Sequence, residues 1–229
     1  MNGIDTEVNG ISIQVSLSGY SFRVEEDGVV RRSGWLDPEK LFTSPEFHRR
    51  YDRVEITLLT PKVALIPEEF FSEASARDAL ADVVSLRDGD GVSYMRVPEY
   101  GAVLLFSTSI DETFSKVVAR TVLKTDGSAV PVVPEMFHVL RNLSDCPEHN
   151  KIVASYADGW LYLAVAQGDR LSLCNVFEAV DFTTAEYFIF LVMKRLQLNP
   201  EVSTICFRTP LTQEEELSLY RYFKAVERL

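Results

Sequence analysis

The sequence NKIVASYADGWLYLAVAQGDRLSLCNVFE, residues 150–178, contains the clearest structural pattern in this chain. It consists of three apolar runs and the two-residue turns that join them: 151–157, Asp158-Gly159, 160–166, Gly168-Asp169 and 171–177. Turns of this composition between apolar runs indicate antiparallel hairpins, because Gly, Asp and Asn accept the positive φ that tight primed turns require. The stretch therefore predicts a three-stranded meander.

The N-terminal part of the chain opens on the same pattern. Its apolar runs and turns are 11–17, Ser18-Gly19, 20–25, Asp27-Gly28 and 29–36. Laying Ile152 on Ile13 places Ser155 on Ser16, Leu161 on Phe22 and Leu163 on Val24. The match is one of pattern, and it indicates an internal duplication.

Helices are predicted beside both meanders, and a further strand beside the second. After the second meander we expect a helix over 183–198, a strand over 203–208 and a final helix over 212–229. A meander followed by a helix, used twice, is the plan of a duplicated ribonuclease-H-like fold, which actin and sugar kinases share. We therefore predict an α/β protein with mixed sheets, antiparallel three-strand meanders and flanking helices.

The two halves are predicted to meet in the polar segment 144–150, which contains Pro147. Residues 1–145 would then form an N-terminal ribonuclease-H-like half with inserted elements. Residues 146–229 would form the C-terminal half.

Three helix starts are predicted from capping boxes, in which a Ser or Thr and a Glu three residues later each satisfy an amide of the first turn. The pairs are Ser109 with Glu112, Thr183 with Glu186, and Thr212 with Glu215. Residues 187–193 are apolar on every helical face, which predicts a helix that is buried on all sides.

Charge and composition restrict the class of partner. The chain carries 34 acidic and 23 basic side chains, a net charge of −11, and shows no Lys/Arg-rich stretch. Nucleic acids and anionic membranes are disfavoured because both bind through phosphate neutralisation. A protein partner with a neutral or basic surface is expected instead.

The compartment is predicted from features that the sequence lacks. No apolar run reaches the roughly 18–20 residues that span a bilayer, so no membrane insertion is expected. The first residues do not form a secretory signal. Three scattered cysteines do not make a disulfide framework, and the simplest interpretation is a reduced, cytoplasmic protein.

No metal site and no catalytic residue are predicted. The three histidines are isolated from one another and from the cysteines. Asp88, Asp90 and Glu99 match three positions of a calcium-loop template, but Val92 and Ser93 stand where a ligand and a glycine are needed. A solvated loop is the better interpretation.

Three segments resemble a family of uncharacterised bacterial proteins of unknown function with an actin-like ATPase fold. They are 11–24, 63–71 and 150–208, the last with the helical sequence Thr-Ala-Glu-Tyr-Phe-Ile-Phe. The resemblance covers most of the chain and rests on patterns, not on a catalytic motif. It also implies a relationship to the actin-like proteins of type IV pilus assembly, which act as adaptors.

The resemblance assigns phosphate-loop positions to Ser16, Ser18, Gly19, Ser155, Asp158 and Gly159. In active members each meander carries Asp-x-Gly, whose aspartate holds Mg²⁺ through water and whose glycine lets backbone amides approach phosphate. Here Ser16 and Ser155 stand at the aspartate positions, and Ser18 and Ala157 stand at the first glycine positions. A neutral hydroxyl cannot replace a carboxylate beside a divalent cation, so ATP and Mg²⁺ are disfavoured as cofactors.

Two further observations bear on nucleotide binding. The glycine pair that the resemblance implies on the adenine side is absent, and residues 207–210 read Phe-Arg-Thr-Pro. Asp158-Gly159 is either a relict phosphate loop or a plain hairpin turn, and its spacing favours the turn.

Three functions remain open on the sequence. The preferred one is a non-catalytic binding or adaptor protein. The alternative is a nucleotide-dependent phosphotransferase or ATPase with degenerate phosphate loops. A small-molecule sensor is the third. The paired serines at positions 16 and 155 favour the first over the second.

Overall fold

The computed structural model describes residues 9–38, 44–109, 124–128 and 130–229. The chain divides into two units. Unit 1 takes its residues from Met1–Leu59 and Ser109–Pro134, and unit 2 from Thr60–Thr108 and Glu135–Leu229. These units are defined by contacts within the chain. The junction predicted near residue 145 is a boundary between the halves of a duplication, and it stays a prediction.

Unit 1 is built on a five-stranded mixed sheet in the order β3-β2-β1-β4-β8. Its strands are β1 Gly10–Val15, β2 Tyr20–Glu26, β3 Val29–Arg32, β4 Arg53–Leu58 and β8 Val132–Pro134. The first three form the predicted antiparallel meander, and β4 and β8 add in parallel. At the turn between β2 and β3, Asp27 and Gly28 have φ of 52° and 72°, the positive values that this turn requires.

Unit 2 repeats this topology in the order β11-β10-β9-β12-β13. Its strands are β9 Asn150–Ala157, β10 Trp160–Gln167, β11 Arg170–Glu178, β12 Thr204–Phe207 and β13 Ala225–Arg228. Here too the first three strands form the predicted antiparallel meander and the last two add in parallel. The two matching sheets confirm the duplicated ribonuclease-H-like plan.

Unit 2 also contains a small antiparallel sheet in the order β5-β7-β6. Its strands are β5 Val63–Pro67, β6 Val92–Val97 and β7 Ala102–Ser107. Helix α1, Ala76–Ala81, buries Ala76 and Leu80 in one cluster with Val103 and Leu105 of β7.

Three longer helices accompany the five-stranded sheet of unit 2: α2 Glu135–Asp145, α3 Phe182–Arg195 and α4 Gln213–Tyr220. Alternate residues of the strands face opposite sides of the sheet. Ile152, Ala154, Leu161 and Leu163 pack in one core cluster with residues of α3 and α4. Helix α2 packs against β9 and β10, with Met136, Val139, Leu140 and Leu143 buried.

Two predictions about α3 were wrong. The N-cap is Asp181, whose carboxylate accepts a hydrogen bond from the Thr184 amide at 2.7 Å, and not Thr183. Burial is one-sided as well. Its buried residues recur at helical spacing: Ala185, Ile189, Val192 and Met193. Tyr187 is 61% exposed, because only one stripe of a helix can face a single sheet.

The final helix was predicted with the right start and the wrong end. Thr212 and Glu215 form the predicted capping box. The helix ends at Tyr220, however, and residues 225–228 form β13. The Lys224 amide donates to the Ser203 carbonyl at 3.1 Å, and from there the chain pairs in parallel with β12. Pairing with the edge of β12 is therefore favoured over continuation of the helix through residues 225–228.

The helix start predicted at Ser109 and Glu112 falls mostly outside the described residues. Within those residues, no helix is long and apolar enough to cross a membrane.

Candidate functional site

The first phosphate-loop position, residues 16–19 between β1 and β2, is closed by its own hydrogen bonds. The Ser16 amide donates to the Gly19 carbonyl at 2.9 Å. The Ser18 amide donates to Ser16 Oγ at 3.0 Å, and the two hydroxyl oxygens are 3.1 Å apart. Ser16 is buried. A backbone amide that already donates inside the loop is not available to a phosphate oxygen.

Trp35 packs beside this loop. Its indole Nε1 donates to Ser18 Oγ at 3.1 Å. A Cβ on Gly19 would lie 2.2 Å from the Leu36 carbonyl oxygen and 2.9 Å from Trp35 Nε1, so only glycine fits there. Nothing in the linear sequence pattern places Trp35 beside Ser18, so this contact could not be predicted from the sequence.

The second phosphate-loop position follows a different plan. Asp158 and Gly159 form a two-residue hairpin turn with φ of 50° and 74°, and the residues that flank it pair across β9 and β10. Ser155 does not lie in the turn. It lies within β9, opposite Tyr162 of β10, and both side chains are fully buried.

Four side chains in unit 2 form what we call the buried polar cluster: Glu135, Ser155, Tyr162 and Arg208. Ser155 and Tyr162 face away from the core shared with α3 and α4, toward the side of the sheet that α2 covers. Glu135 is the first residue of α2 and is fully buried. Arg208 follows β12, and its Nε donates to Glu135 Oε1 at 3.0 Å.

Three oxygens of the buried polar cluster have no hydrogen-bond partner among the described residues. They are Glu135 Oε2, Ser155 Oγ and Tyr162 Oη. Arg208 makes a second contact with α2, since its Nη1 donates to Asn142 Oδ1 at 2.8 Å. Burying a polar atom without a partner costs about 1–3 kcal/mol.

Burial and charge shift two pKa values around this cluster. Burial raises the pKa of Tyr162 well above its ordinary value, and the negative charges of Glu135 and Asp158 add to the effect. Burial lowers the pKa of His138 to about 4, and the positive charge of Arg208 contributes. Tyr162 is therefore a neutral phenol at physiological pH, and His138 a neutral imidazole.

The adenine-side region is tied into the sheet of unit 2. The Thr209 hydroxyl accepts a hydrogen bond from the Tyr156 amide at 2.9 Å, and the Arg208 amide donates to the Ala154 carbonyl at 3.0 Å. Thr209 is buried. These contacts join residues 208–209 to β9 and give the segment a structural role.

No group of three or more His, Cys, Asp or Glu side chains in the described part of the chain could hold a metal ion. Asp90, a residue of the rejected calcium template, pairs instead with Lys62 at 2.6 Å and accepts from the Arg87 amide at 3.0 Å.

An open groove of about 450 Å³ lies on the α3 side of unit 2. Phe190, Met193 and Lys194 of α3 line one part of it, and residues 197–200 line the rest. It is on the other side of the sheet from the buried polar cluster.

Two solved structures are similar to this chain over nearly its full length. One is a Bacteroides thetaiotaomicron protein with an actin-like ATPase fold and unknown function, at 18% identity and a TM-score of 0.68, covering 100% of this chain and 93% of that one. The other is from the PilM–PilN type IV pilus biogenesis complex, at 12% identity and a TM-score of 0.53, covering 97% and 88%. At these identities the likeness shows the fold alone.

The chain thus has the actin-like ATPase fold that its two sheets indicate. A comparison with curated proteins found no match. The sequence profile of one protein family matches residues 38–226, most of the chain. The protein therefore belongs to the family DUF3822, described as a protein of unknown function.

Proposed function

We propose that this protein is a non-catalytic binding protein that uses an actin-like fold as an adaptor for a protein partner. The observation that carries the proposal is the closed loop at residues 16–19. Its hydroxyls and one of its amides bond to one another, and a serine stands at the aspartate position. Nucleotide hydrolysis needs both an organised Mg²⁺ and free amides at this place.

The second sheet supports the same proposal. At the matching position Ser155 offers a buried hydroxyl where a carboxylate would hold the cation. Arg208 and Thr209, on the adenine side, are engaged in contacts within unit 2. With serines at both aspartate positions, the protein keeps the fold of an ATPase but lacks the carboxylates that would hold Mg²⁺ beside a nucleotide.

A neutral or basic protein surface is the expected partner. The net charge of −11 steers basic partners toward the chain and opposes polyanions. A PilM–PilN complex is among the solved structures of similar fold, which supports the idea that such a fold holds another protein. Because the cysteines are free thiols, we also propose a reduced, cytoplasmic setting. The similar fold of a Bacteroides thetaiotaomicron protein supports the proposal of a bacterial source.

Nucleotide binding is tested by Trp35 fluorescence and by thermal unfolding. The chain has two tryptophans, so Trp160→Phe leaves Trp35, which contacts Ser18, as the sole reporter. We expect no change in emission and no shift in unfolding midpoint with millimolar Mg-ATP. A micromolar site would instead stabilise the fold by about 4 kcal/mol.

A midpoint that rises by several degrees with Mg-ATP, and not with Mg²⁺ alone, would overturn the adaptor proposal. It would support the nucleotide-dependent phosphotransferase or ATPase in its place.

Partner binding is tested by affinity capture from a native lysate with ATP added and omitted. We expect the same partner under both conditions, with an on-rate that falls as salt rises. A partner that appears only with ATP would contradict a nucleotide-independent adaptor.

The exclusion of nucleic acid has its own test. Fluorescence anisotropy with labelled single- and double-stranded DNA and RNA at low salt should show no micromolar binding. Tight binding with a steep salt dependence would reveal a basic face and a nucleic-acid role.

A further inference from the structure

Two cysteines that are distant in sequence lie side by side in unit 2. Cys146 Sγ and Cys206 Sγ are 4.0 Å apart, although 60 residues separate them in the chain. Cys146 directly follows α2, and Cys206 belongs to β12. Both are free thiols and both are buried.

The two thiols can be joined with little movement. A disulfide bond measures about 2.05 Å, so each sulfur has to move by about 1 Å. Cys146 lies just outside the helix, where its amide donates to the Leu143 carbonyl over a long 3.4 Å. The Cys146 thiol also donates to the Asn142 carbonyl at 3.4 Å, and this contact is lost when the disulfide forms. Both contacts lie at the end of the helix, so residue 146 can adjust without unwinding α2.

The pair is chemically asymmetric. The contact with the Cys206 thiol lowers the pKa of Cys146, although burial opposes this. The same contact, together with burial, raises the pKa of Cys206. Cys206 Sγ also lies 4.0 Å from Glu227 Oε2, an acceptor for its proton. This asymmetry favours Cys146 as the attacking thiolate and Cys206 as the resolving thiol.

We propose that Cys146 and Cys206 are a reversible dithiol–disulfide pair, oxidised by a small peroxide. The Cys146 thiolate attacks one oxygen of hydrogen peroxide, the O–O bond breaks, and the leaving hydroxide is protonated to water. This leaves a sulfenic acid on Cys146, oxidised by two electrons. Cys206 then loses its proton and attacks that sulfur, the S–O bond breaks, and a second water leaves.

Oxidation would fix α2 to β12 at a second point. The first is the contact of Arg208 with Glu135 and Asn142. The disulfide would close a loop of about 60 residues that contains β9, β10, β11 and α3. Formation of the disulfide requires neither the proposed adaptor role nor nucleotide binding.

The test uses the full-length chain, reduced and then treated with hydrogen peroxide. Remaining thiols are blocked with a maleimide, and the digest is examined by mass spectrometry without reduction. We expect a cross-linked peptide pair holding Cys146 and Cys206, lighter by two hydrogens than the separate peptides. The unfolding midpoint should rise by about 5 °C or more, and dithiothreitol should reverse both changes.

Single substitutions provide matched controls. Cys146→Ala and Cys206→Ala should each lose the cross-link and the midpoint shift, whereas Cys174→Ala should retain both. Burial raises the pKa of the Cys174 thiol to about 12, so it should react slowly.

If an alanine variant fails to fold, the peptide map of the unsubstituted chain is sufficient to test the proposal. Free thiols at 146 and 206 after oxidation, a sulfinic acid on Cys146 without a cross-link, or a disulfide through Cys174 would each overturn the proposal.

Discussion

Ser16 and Ser155 occupy matching places in the two sheets, but their hydroxyls have different surroundings. Ser16 Oγ accepts from the Ser18 amide and lies within hydrogen-bond distance of the Ser18 hydroxyl, so it stabilises the loop that it belongs to. Ser155 Oγ has no partner among the described residues. One serine therefore has a structural role, and the other lies in a part of unit 2 where several polar atoms are buried together.

Gly19 gives the sharpest prediction at the scale of one residue. Gly19→Ala should destabilise unit 1 by about 2–3 kcal/mol, because its Cβ would overlap the Leu36 carbonyl oxygen and the backbone must shift. Urea unfolding measures this cost. Gly34→Ala is the matched control, since a Cβ there has no atom within 4 Å and should change stability by less than about 0.5 kcal/mol. Equal costs at the two positions would contradict the closed loop.

A second prediction concerns the buried polar cluster. Tyr162→Phe should leave the free energy of unfolding unchanged or raise it, because the hydroxyl it removes has no partner among the described residues. Tyr20→Phe should cost about 1 kcal/mol, because the Tyr20 hydroxyl lies 3.0 Å from Ser44 Oγ. Both tyrosines are fully buried, so the pair isolates the hydrogen bond. A larger loss at Tyr162 would mean that its hydroxyl binds a water molecule.

Sequence patterns identified the loops but not their surroundings. The correspondence between Ser16 and Ser155 was found by aligning the two meanders, and such an alignment needs only local sequence. Glu135 and Tyr162 belong to different elements, and Trp35 meets Ser18 only after the chain has returned along β2 and β3. Such contacts depend on tertiary packing, for which a single sequence carries no periodic signal.

The elements that sequence predicted best are those with local determinants. Asp-Gly turns fix the hairpins, because the positive φ is a property of those two residues. The capping box at Thr212 is likewise determined by residues close in sequence.

The end of α4 is determined by residues that are distant in sequence. Phe223 and Val226 continue the apolar stripe of α4 in the sequence, yet Val226 pairs with Ile205 in a parallel ladder.

One-sided burial of α3 leads to a prediction for the helix. Ile189→Ala should cost about 3 kcal/mol, since Ile189 is fully buried in the core of unit 2. Tyr187→Ala, two residues away, should cost less than about 1 kcal/mol because that side chain is mostly exposed. Urea midpoints of the two variants give the comparison. Similar losses would restore the original expectation of a helix buried on all sides.

At the scale of the whole molecule, stability should depend on pH through His138. Its pKa is lowered to about 4 in the folded protein, against about 6.5 in the unfolded chain. Between these values the unfolded chain binds more protons, so stability is complete above about pH 6.5 and falls toward pH 4. We expect this residue to account for about 2 kcal/mol of the loss, because its partial exposure reduces the full effect.

Urea unfolding at pH 7 and pH 5 measures this dependence. His138→Gln should flatten it, whereas His149→Gln, at an exposed position, should leave it unchanged. If the free energy of unfolding changes equally between pH 7 and pH 5 in the unsubstituted chain and in His138→Gln, the acid sensitivity comes from carboxylates and not from His138.

Unit 1 draws its sheet from two separate stretches of chain, and this affects how the protein is made. On the ribosome β1 to β4 emerge first, but β8 follows only after residues 60–108, which belong to unit 2, have been synthesised. During that interval the β4 edge that β8 later covers stays open beside the apolar residues Ile56 and Leu58. An open strand edge invites pairing with other nascent chains. Slow translation through residues 60–131 should therefore increase co-translational aggregation and the demand for chaperones.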